Sequence, residues 1–172
     1  AKNPCLWSIC IVDKERDKGE LVEIADKNLF AKKKQMRADA MWSLIYIFEH
    51  NRKLFSSKNI LALLFKLSYF LEYSQSRNTG EYLMFIARLF AINLLDVSAA
   101  TTFEKPLLAI SGNLGNYDVP YEYKVDIAHN ACVLCGVLFK KGIESEAVLT
   151  FKAFSEDFDV FRDIRNGFEK GM

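Results

Sequence analysis

Glycine and proline are scarce in this chain, and no run of apolar residues is long enough to cross a membrane. The 172 residues include 8 Gly and 3 Pro, which is too few for a collagen-like, linker-like or turn-dense β protein. The most apolar stretches, residues 60–71 and 82–95, contain polar side chains and fall short of the roughly 20 residues that span a bilayer. We therefore expect no membrane span, and we interpret both stretches as buried helices.

The chain also lacks a large net charge, with 23 Lys and Arg against 22 Asp and Glu. Disordered chains combine low hydrophobicity with a high net charge, whereas 51% of this chain is hydrophobic and 13% is aromatic. Chains of about 150 residues bury roughly two-thirds of their unfolded surface around one core. The composition predicts a single globular domain over residues 1–172.

The balanced charge is unevenly distributed along the chain. Residues 1–58 carry 12 basic and 8 acidic side chains, residues 59–142 carry 7 of each, and residues 143–172 carry 4 basic and 7 acidic side chains. The net charges of the three stretches are therefore +4, 0 and −3. A basic front and an acidic tail are expected either to attract each other or to face separate partners.

Cysteine is sparse for a disulfide-built fold. Four cysteines accompany an ample apolar core, whereas small disulfide-stabilised domains are rich in cysteine and poor in core. The first residues, AKNPCLWSIC, do not follow the charged, apolar and small order of a secretory signal. We therefore expect reduced thiols in an intracellular, cytoplasmic protein.

The first 27 residues differ in pattern from the rest. Leu6–Val12 and Glu20–Ile24 are rich in strand-forming residues, and the run between them ends in Gly19. Glycine accepts the positive φ that tight hairpin turns require. The sequence therefore predicts a β-hairpin extension over residues 1–27.

From residue 28 onward the apolar residues recur at helical steps of three and four. The pattern predicts a mainly α fold, a bundle of five or six helices over residues 28–172. Two predicted helices, from Ser56 or Ser57 to Tyr73 and from Thr79 to about Val97, are apolar nearly all round, so we expect them at the centre of the bundle. The stretch Glu104–Pro120 contains two prolines and two glycines and is predicted to be a long non-helical connection.

The cysteines form two pairs that could bind zinc if the fold brings them together. Cys5 and Cys10 lie near the N-terminus, and Cys132 and Cys135 follow His129 by one and two helical turns. Four thiolates, or three with His129, satisfy tetrahedral zinc. The second pair, however, lies within a continuous helical pattern that ends at Lys140, Lys141 and Gly142. We favour buried core cysteines and no cofactor; zinc binding and redox activity are the two alternatives.

No catalytic residues are assigned. The two histidines are His50, on the polar side of a predicted helix, and His129. Cys132 lies one turn from His129, but two neighbours on one helix do not supply the nucleophile, base and orienting group of a hydrolase. Arg88 lies inside an apolar helix, where a charge needs a partner or water. We expect Arg88 to pair with a carboxylate or to cap a helix end, with ligand binding as the alternative.

A basic cluster is the clearest candidate for binding an anion or a nucleic acid. It comprises Lys27, Lys32, Lys33, Lys34 and Arg37, close to the start of a predicted helix. Cations at a helix N-terminus oppose the helix dipole, so phosphates or an acidic partner would compensate them. A solvated face is the alternative.

These observations favour a non-enzymatic helical interaction domain, a regulator or adaptor that acts through protein–protein contacts. Self-association is an alternative form of the same function, because aromatic residues in excess of the core would lie at the surface. A second hypothesis is nucleic-acid or phosphate binding through the basic cluster. A third is a helical ligand-binding or enzymatic bundle with an internal cavity that Arg88 or His129 faces.

Overall fold

A computed structural model describes residues 18–73, 76–114, 121–156 and 162–172. Within them the chain forms eight α-helices, two short 3₁₀ turns and no strand. The helices are α1 (Lys18–Asn28), α2 (Lys34–His50), α3 (Ser57–Tyr73), α4 (Thr79–Ala91), α5 (Ala100–Asn113), α6 (Tyr121–Lys140), α7 (Glu146–Glu156) and α8 (Arg162–Gly171). The prediction of a mainly α protein is confirmed. In the described ranges no helix is both long and apolar enough to cross a membrane.

The predicted hairpin is wrong in its second strand, because Glu20–Ile24 lies inside helix α1. Val22, Ala25 and Leu29 are all buried, and their spacing of three and four residues belongs to one face of a helix or its end. Burial of that face outweighs the weaker strand preference of the individual residues. The first predicted strand, Leu6–Val12, lies outside the described residues.

The predicted connection Glu104–Pro120 is wrong over its first part, which belongs to α5. Pro106 lies inside this helix and is buried, as are Phe103, Leu107 and Ile110. A proline within a helix costs about 3 kcal/mol, and burial of this apolar face offsets the cost. The extra helix is one reason why the count of five or six helices is too low. Residues 115–120 lie outside the described part of the chain.

The described chain gathers into two compact units, one ending at Leu63 and the other beginning at Leu64, so the division falls inside α3. The prediction of a single domain over residues 1–172 stays a prediction. In the first unit α1 packs against α2, and the core of α2 comprises Ala40, Leu44, Ile47 and Phe48. Phe48 also packs edge-on against Phe55, with the ring centroids 5.6 Å apart.

In the second unit α6 is the central helix and contacts α4, α5, α7 and α8. All residues from Ala131 to Leu138 are buried, so this stretch has no solvent-facing side. The prediction that the helices now labelled α3 and α4 are central is correct for α4, in which most residues are buried. It is wrong for α3, which exposes one face.

Helix α6 ends where the sequence predicts. Gly142 has a positive φ of 90°, and its N–H donates to the carbonyl oxygen of Phe139 at 2.9 Å. The N–H of Ile143 donates to the carbonyl oxygen of Leu138 at 3.0 Å. These two bonds form a Schellman motif, in which glycine takes the left-handed position at least cost.

Helices α6 and α8 meet through their backbones. A Cβ atom added to Gly136 on α6 would collide with the carbonyl oxygen of Phe168, and one added to Gly171 on α8 would collide with that of Val133. Gly167 lies against the backbone and ring of His129 in the same way. Glycine is required at these positions because no side chain fits between the two helices.

Candidate functional site

The thiols of Cys132 and Cys135 lie in the core of the second unit. Both residues are 0% exposed, and the Cys132 thiol donates to the carbonyl oxygen of Phe151 at 3.7 Å. Loss of solvation on burial raises the pKa of Cys132 to about 12 and also raises that of Cys135. Both thiols therefore stay protonated at neutral pH, whereas a nucleophile or a metal ligand must be a thiolate.

The predicted zinc ligands are not brought together among the described residues. In those ranges no three His, Cys, Asp or Glu side chains are grouped so that they could hold a metal ion. His129 is half-buried and lies against Gly167 of α8. Cys5 and Cys10 lie outside the described residues.

The four lysines of the basic cluster are exposed. Lys27 lies in the last turn of α1, and Lys32, Lys33 and Lys34 precede or begin α2. No acidic residue lies in the first turn of α2 to balance them. Phe30, between Lys27 and Lys32 in the sequence, is 38% exposed.

Arg37, the fifth predicted member of the cluster, has a structural role. It is 4% exposed, and its guanidinium Nη1 donates to the carbonyl oxygens of Ala31 and Lys32 at 3.1 and 2.7 Å. These two carbonyls lie in the connection between α1 and α2 and would otherwise lack helical partners. Arg37 therefore fixes this connection from within, and its burial leaves little of the side chain accessible to an external anion.

Arg88 is exposed rather than buried, which corrects its assignment as a charge inside an apolar helix. It lies in the last turn of α4, and it is exposed between the buried residues Ala87 and Leu89. The apolar run in the sequence hides this position, because a single solvent-facing residue leaves the composition of a helix almost unchanged.

A row of exposed aromatic side chains on α3 is the feature that the sequence did not predict. Phe65, Tyr69 and Tyr73 are 60%, 64% and 65% exposed. Residues four apart lie above one another on a helix, so the three rings form one ridge about 12 Å long. We call these three residues the aromatic surface. Leu61, one turn earlier on the same helix, is 51% exposed.

The opposite side of α3 holds the helix in place. Leu67 and Leu71 are completely buried, and the ring of Phe70 packs against that of Tyr82 on α4 with centroids 4.3 Å apart. At the N-terminus Ser56 caps the helix: its Oγ accepts a hydrogen bond from the N–H of Asn59 at 3.2 Å. With its leucine side buried and its start capped, α3 presents the aromatic surface as its solvent-facing side.

The rings of Tyr69 and Tyr73 touch, with centroids 4.8 Å apart and planes tilted by 46°. Aromatic pairs in tilted arrangements attract each other by about 0.5–1.5 kcal/mol when well packed. The contact restricts both rings before any partner arrives. A preorganised surface loses less side-chain entropy on binding.

Lysines lie on both sides of the aromatic surface. Lys66 follows Phe65 and is exposed. On the other side, Glu72 forms an ion pair with Lys105 of α5, with Oε1 and Nζ 2.8 Å apart. Glu72 is the sole carboxylate in α3, and its hydrogen bond raises the pKa of Lys105. The Lys105 side chain is 82% exposed, so part of its ammonium group still faces outward.

One feature of the sequence indicates which side of α3 is exposed, although hydropathy alone does not distinguish the two sides. Aromatic residues at 65, 69 and 73 and leucines at 63, 67 and 71 run along opposite sides of the same helix. Both sides are apolar, so periodicity cannot tell which is buried. The tyrosine hydroxyls distinguish the two sides. A partly exposed tyrosine can keep its hydroxyl in water, whereas leucine has no polar group to place there.

No protein-family model, curated protein or solved structure matches this chain. The functional interpretation is therefore based on the aromatic surface and the charges beside it.

Proposed function

We propose that this chain is a non-enzymatic interaction domain that binds another protein through the aromatic surface of α3. The observation that supports the proposal is the exposure of Phe65, Tyr69 and Tyr73, each 60% or more, in one ridge. Tyrosine and other aromatics are enriched at the energetically dominant positions of protein interfaces. A helix that needed only to cover a core would have polar residues here.

The size of the surface suits a partner of modest affinity. An aromatic side chain buries about 150–250 Å², so the exposed parts of three such rings amount to about 300–500 Å². That lies within the range of about 300–600 Å² for the largest apolar patch of a monomer, which is often functional. A standard interface needs about 800 Å² per partner, so the aromatic surface forms the centre of a small, reversible interface.

The buried thiols also favour binding over catalysis. Cys132 and Cys135 are protonated core groups, and His129 packs against the backbone of α8. A nucleophilic mechanism requires an activated nucleophile next to its base. Cys132, Cys135 and His129 therefore contribute to the packing of the second unit.

Site-specific photo-crosslinking tests the proposal. A photoreactive phenylalanine analogue placed at position 69 in the full chain should form a saturable adduct with a protein in an extract of the native cell. Excess unmodified chain should compete with the adduct, and excess chain carrying Phe65→Ser and Tyr73→Ser should not. Both substitutions are at exposed sites, so the free energy of unfolding should fall by no more than about 1–2 kcal/mol, most of it from the Tyr69–Tyr73 ring contact that Tyr73→Ser removes.

Leu149 on α7 provides a matched control, because it is 45% exposed and lies outside the aromatic surface. The analogue at position 149 should give no competed adduct, and Leu149→Ser should leave competition intact. Equal adducts at positions 69 and 149, or none at either, would contradict a binding role for this surface.

One observation supports a second candidate function, nucleic-acid binding by the first unit. Phe30 is partly exposed in the sequence between the exposed Lys27 and Lys32. Single-stranded nucleic acid binds surfaces that combine cations with aromatic rings on which bases stack. The buried position of Arg37 reduces the set of contributing cations to the four lysines.

A further inference from the structure

We infer that the end of the hairpin formed by α1 and α2 binds the surface of an anionic membrane. Four lysines mark this end and are called the lysine tip: Lys27, Lys32, Lys33 and Lys34. The lysine tip belongs to the first unit, so its role is separate from protein binding through the aromatic surface of α3.

The lysine tip concentrates positive charge that the described residues leave without a partner. All four lysines are exposed, and in the described ranges none of them forms an ion pair or a side-chain hydrogen bond. No Asp or Glu occurs between residues 27 and 37. The acidic residues on either side of this stretch, Asp26 and Asp39, are half-buried and have partners of their own. The four ammonium groups are therefore available to anions from outside the chain.

The position of the lysine tip suits a flat surface. Helix α1 packs against α2, and residues 29–33 join them, so the connection lies at one end of a helical hairpin. Arg37 ties this connection to α2 through its hydrogen bonds with the carbonyl oxygens of Ala31 and Lys32. Such an end is convex, whereas single-stranded nucleic acid is held in a positively charged groove that follows its backbone. A membrane instead offers its anionic headgroups in one plane, which a convex end can contact with several lysines at once.

An exposed apolar side chain accompanies the lysines. Met36 is 40% exposed and lies three residues after Lys33, which is about one helical turn. Apolar side chains at a membrane surface enter the boundary between headgroups and acyl chains, while lysines beside them contact the headgroups. Methionine has no planar ring on which a base could stack. Phe30, 38% exposed, suits either partner, so Met36 is the residue that favours a bilayer.

The number of lysines predicts reversible binding. One lysine near an anionic bilayer strengthens binding by roughly 5-fold. The lysine tip as a whole therefore favours an anionic over a neutral bilayer by roughly a few hundred-fold at most. Salt screens exposed charges, so the affinity should fall as the ionic strength rises.

Sedimentation of the full chain with vesicles tests the inference. One set of vesicles contains phosphatidylcholine alone, and the other contains about 30% phosphatidylserine, which gives a negative surface potential. At low ionic strength the wild-type chain should partition onto the anionic vesicles at least about 50-fold more strongly. The preference should shrink at about 0.15 M salt.

Two triple variants of equal net charge separate the lysine tip from the charge of the whole chain. In one, alanine replaces Lys32, Lys33 and Lys34. In the other, alanine replaces three exposed lysines elsewhere in the chain: Lys53, Lys140 and Lys170. The first variant should lose about 100-fold in partition onto anionic vesicles, and the second should lose less than about 3-fold. Circular dichroism and the midpoint of urea unfolding should stay close to wild-type values for both, because all the replaced lysines are exposed.

Met36→Ser separates a bilayer from a nucleic acid. The substitution removes the apolar group that enters the bilayer, so partition onto anionic vesicles should fall by about 3-fold or more. Binding of single-stranded RNA through the lysines should stay unchanged, because methionine offers no stacking surface.

Three outcomes would overturn the inference. Equal partition of the wild-type chain onto the two kinds of vesicle, or none onto either, excludes an anionic membrane. Equal losses in the two triple variants show that net charge, and not the lysine tip, is responsible. Tighter binding of single-stranded RNA than of anionic vesicles, lost when alanine replaces Lys32, Lys33 and Lys34, identifies the second candidate function instead. None of these outcomes bears on the crosslinking at position 69, because Tyr69 lies in the second unit.

Discussion

The carboxylate of Glu104 on α5 caps helix α7. Its Oε1 accepts a hydrogen bond from the backbone N–H of Ala147 at 2.8 Å, and Ala147 is the second residue of α7. The first N–H groups of a helix lack intrahelical partners and carry partial positive charge. A residue 43 positions earlier in the chain therefore supplies the cap, alongside the local Ser145, whose Oγ accepts from the N–H of Val148 at 3.4 Å.

Glu104→Ala should lower the free energy of unfolding of the second unit by about 1–2 kcal/mol, the usual loss when a cap is removed. Glu104→Gln keeps an acceptor but loses the charge, so it should cost less than half as much. Urea unfolding followed by circular dichroism measures both. Glu144→Ala, at an exposed glutamate two residues before α7, is the control and should be near neutral; equal losses for positions 104 and 144 would contradict the capping role.

Gly136→Ala should destabilise the second unit by about 1–3 kcal/mol, because its Cβ would press on the backbone of α8 and overpacking carries costs of that size. Gly112→Ala is the matched control. Gly112 is exposed in α5 and has nothing within 4 Å of an added Cβ, so alanine should stabilise the protein by about 0.5–1 kcal/mol. The two substitutions should therefore shift the thermal midpoint in opposite directions, and a gain from Gly136→Ala would refute the close contact.

The thiols of Cys132 and Cys135 should resist modification in the folded protein. Their side chains are 0% exposed, so a reagent such as dithionitrobenzoate reaches them only after the structure opens. In a Cys5→Ser, Cys10→Ser background at pH 8, both thiols should react at least about 100-fold more slowly than in urea. Rapid reaction of either thiol without denaturant would show that α6 is more open than its burial indicates.

The stability of the second unit should fall above pH 9 because of Cys132. Burial raises the pKa of this thiol from 9.0 to about 12, so between these values the unfolded chain releases a proton that the folded chain keeps. The stabilisation is complete below pH 9 and is lost as the pH rises toward 12, with a slope of up to about 1.4 kcal/mol per pH unit. Cys132→Ala should show a shallower decline in urea unfolding from pH 8 to 10.5; parallel curves would contradict the shift.

Replacing Lys32, Lys33 and Lys34 together with Ala tests the second candidate function. If the first unit binds single-stranded RNA, the wild-type affinity should fall steeply with salt, and the triple variant should bind weakly with a shallower salt dependence. Arg37→Ala serves as a contrast, because its contacts with Ala31 and Lys32 make it structural: it should lower the midpoint of urea unfolding. No binding by the wild-type chain at low salt would remove this candidate.

The sequence predicts the helices that carry a periodic apolar pattern and clear end signals. The start of α3 and the end of α6 agree with the prediction to within a residue or two, because Ser56 caps the first helix and Gly142 terminates the second. Helix α5 could not be predicted in this way, because Pro106 is typical of a helix break. The burial of Phe103 and Ile110 on the same helix offsets the cost of the proline, and burial is not visible in the sequence.

The functional surface was harder to predict than the fold. Lys34 and Arg37 look equivalent in the sequence, yet Lys34 is exposed and Arg37 donates to backbone carbonyl oxygens. The difference arises because the connection before α2 places those carbonyl oxygens within reach of Arg37. On α3 the two apolar sides compete for the core, and tertiary packing chooses the side with Leu67 and Leu71. Local helix propensity determines neither outcome, because both depend on which parts of the folded chain pack against these residues.

The burial of α6 along its middle has a consequence for the motions of the second unit. From Ala131 to Leu138 no residue faces solvent, so these backbone amides cannot exchange hydrogen with water by local fraying. They require separation of α6 from the helices around it, α8 and α4 included. The slowest-exchanging amides of the chain should therefore be those of α6, and their exchange should report the cooperative opening of the whole unit.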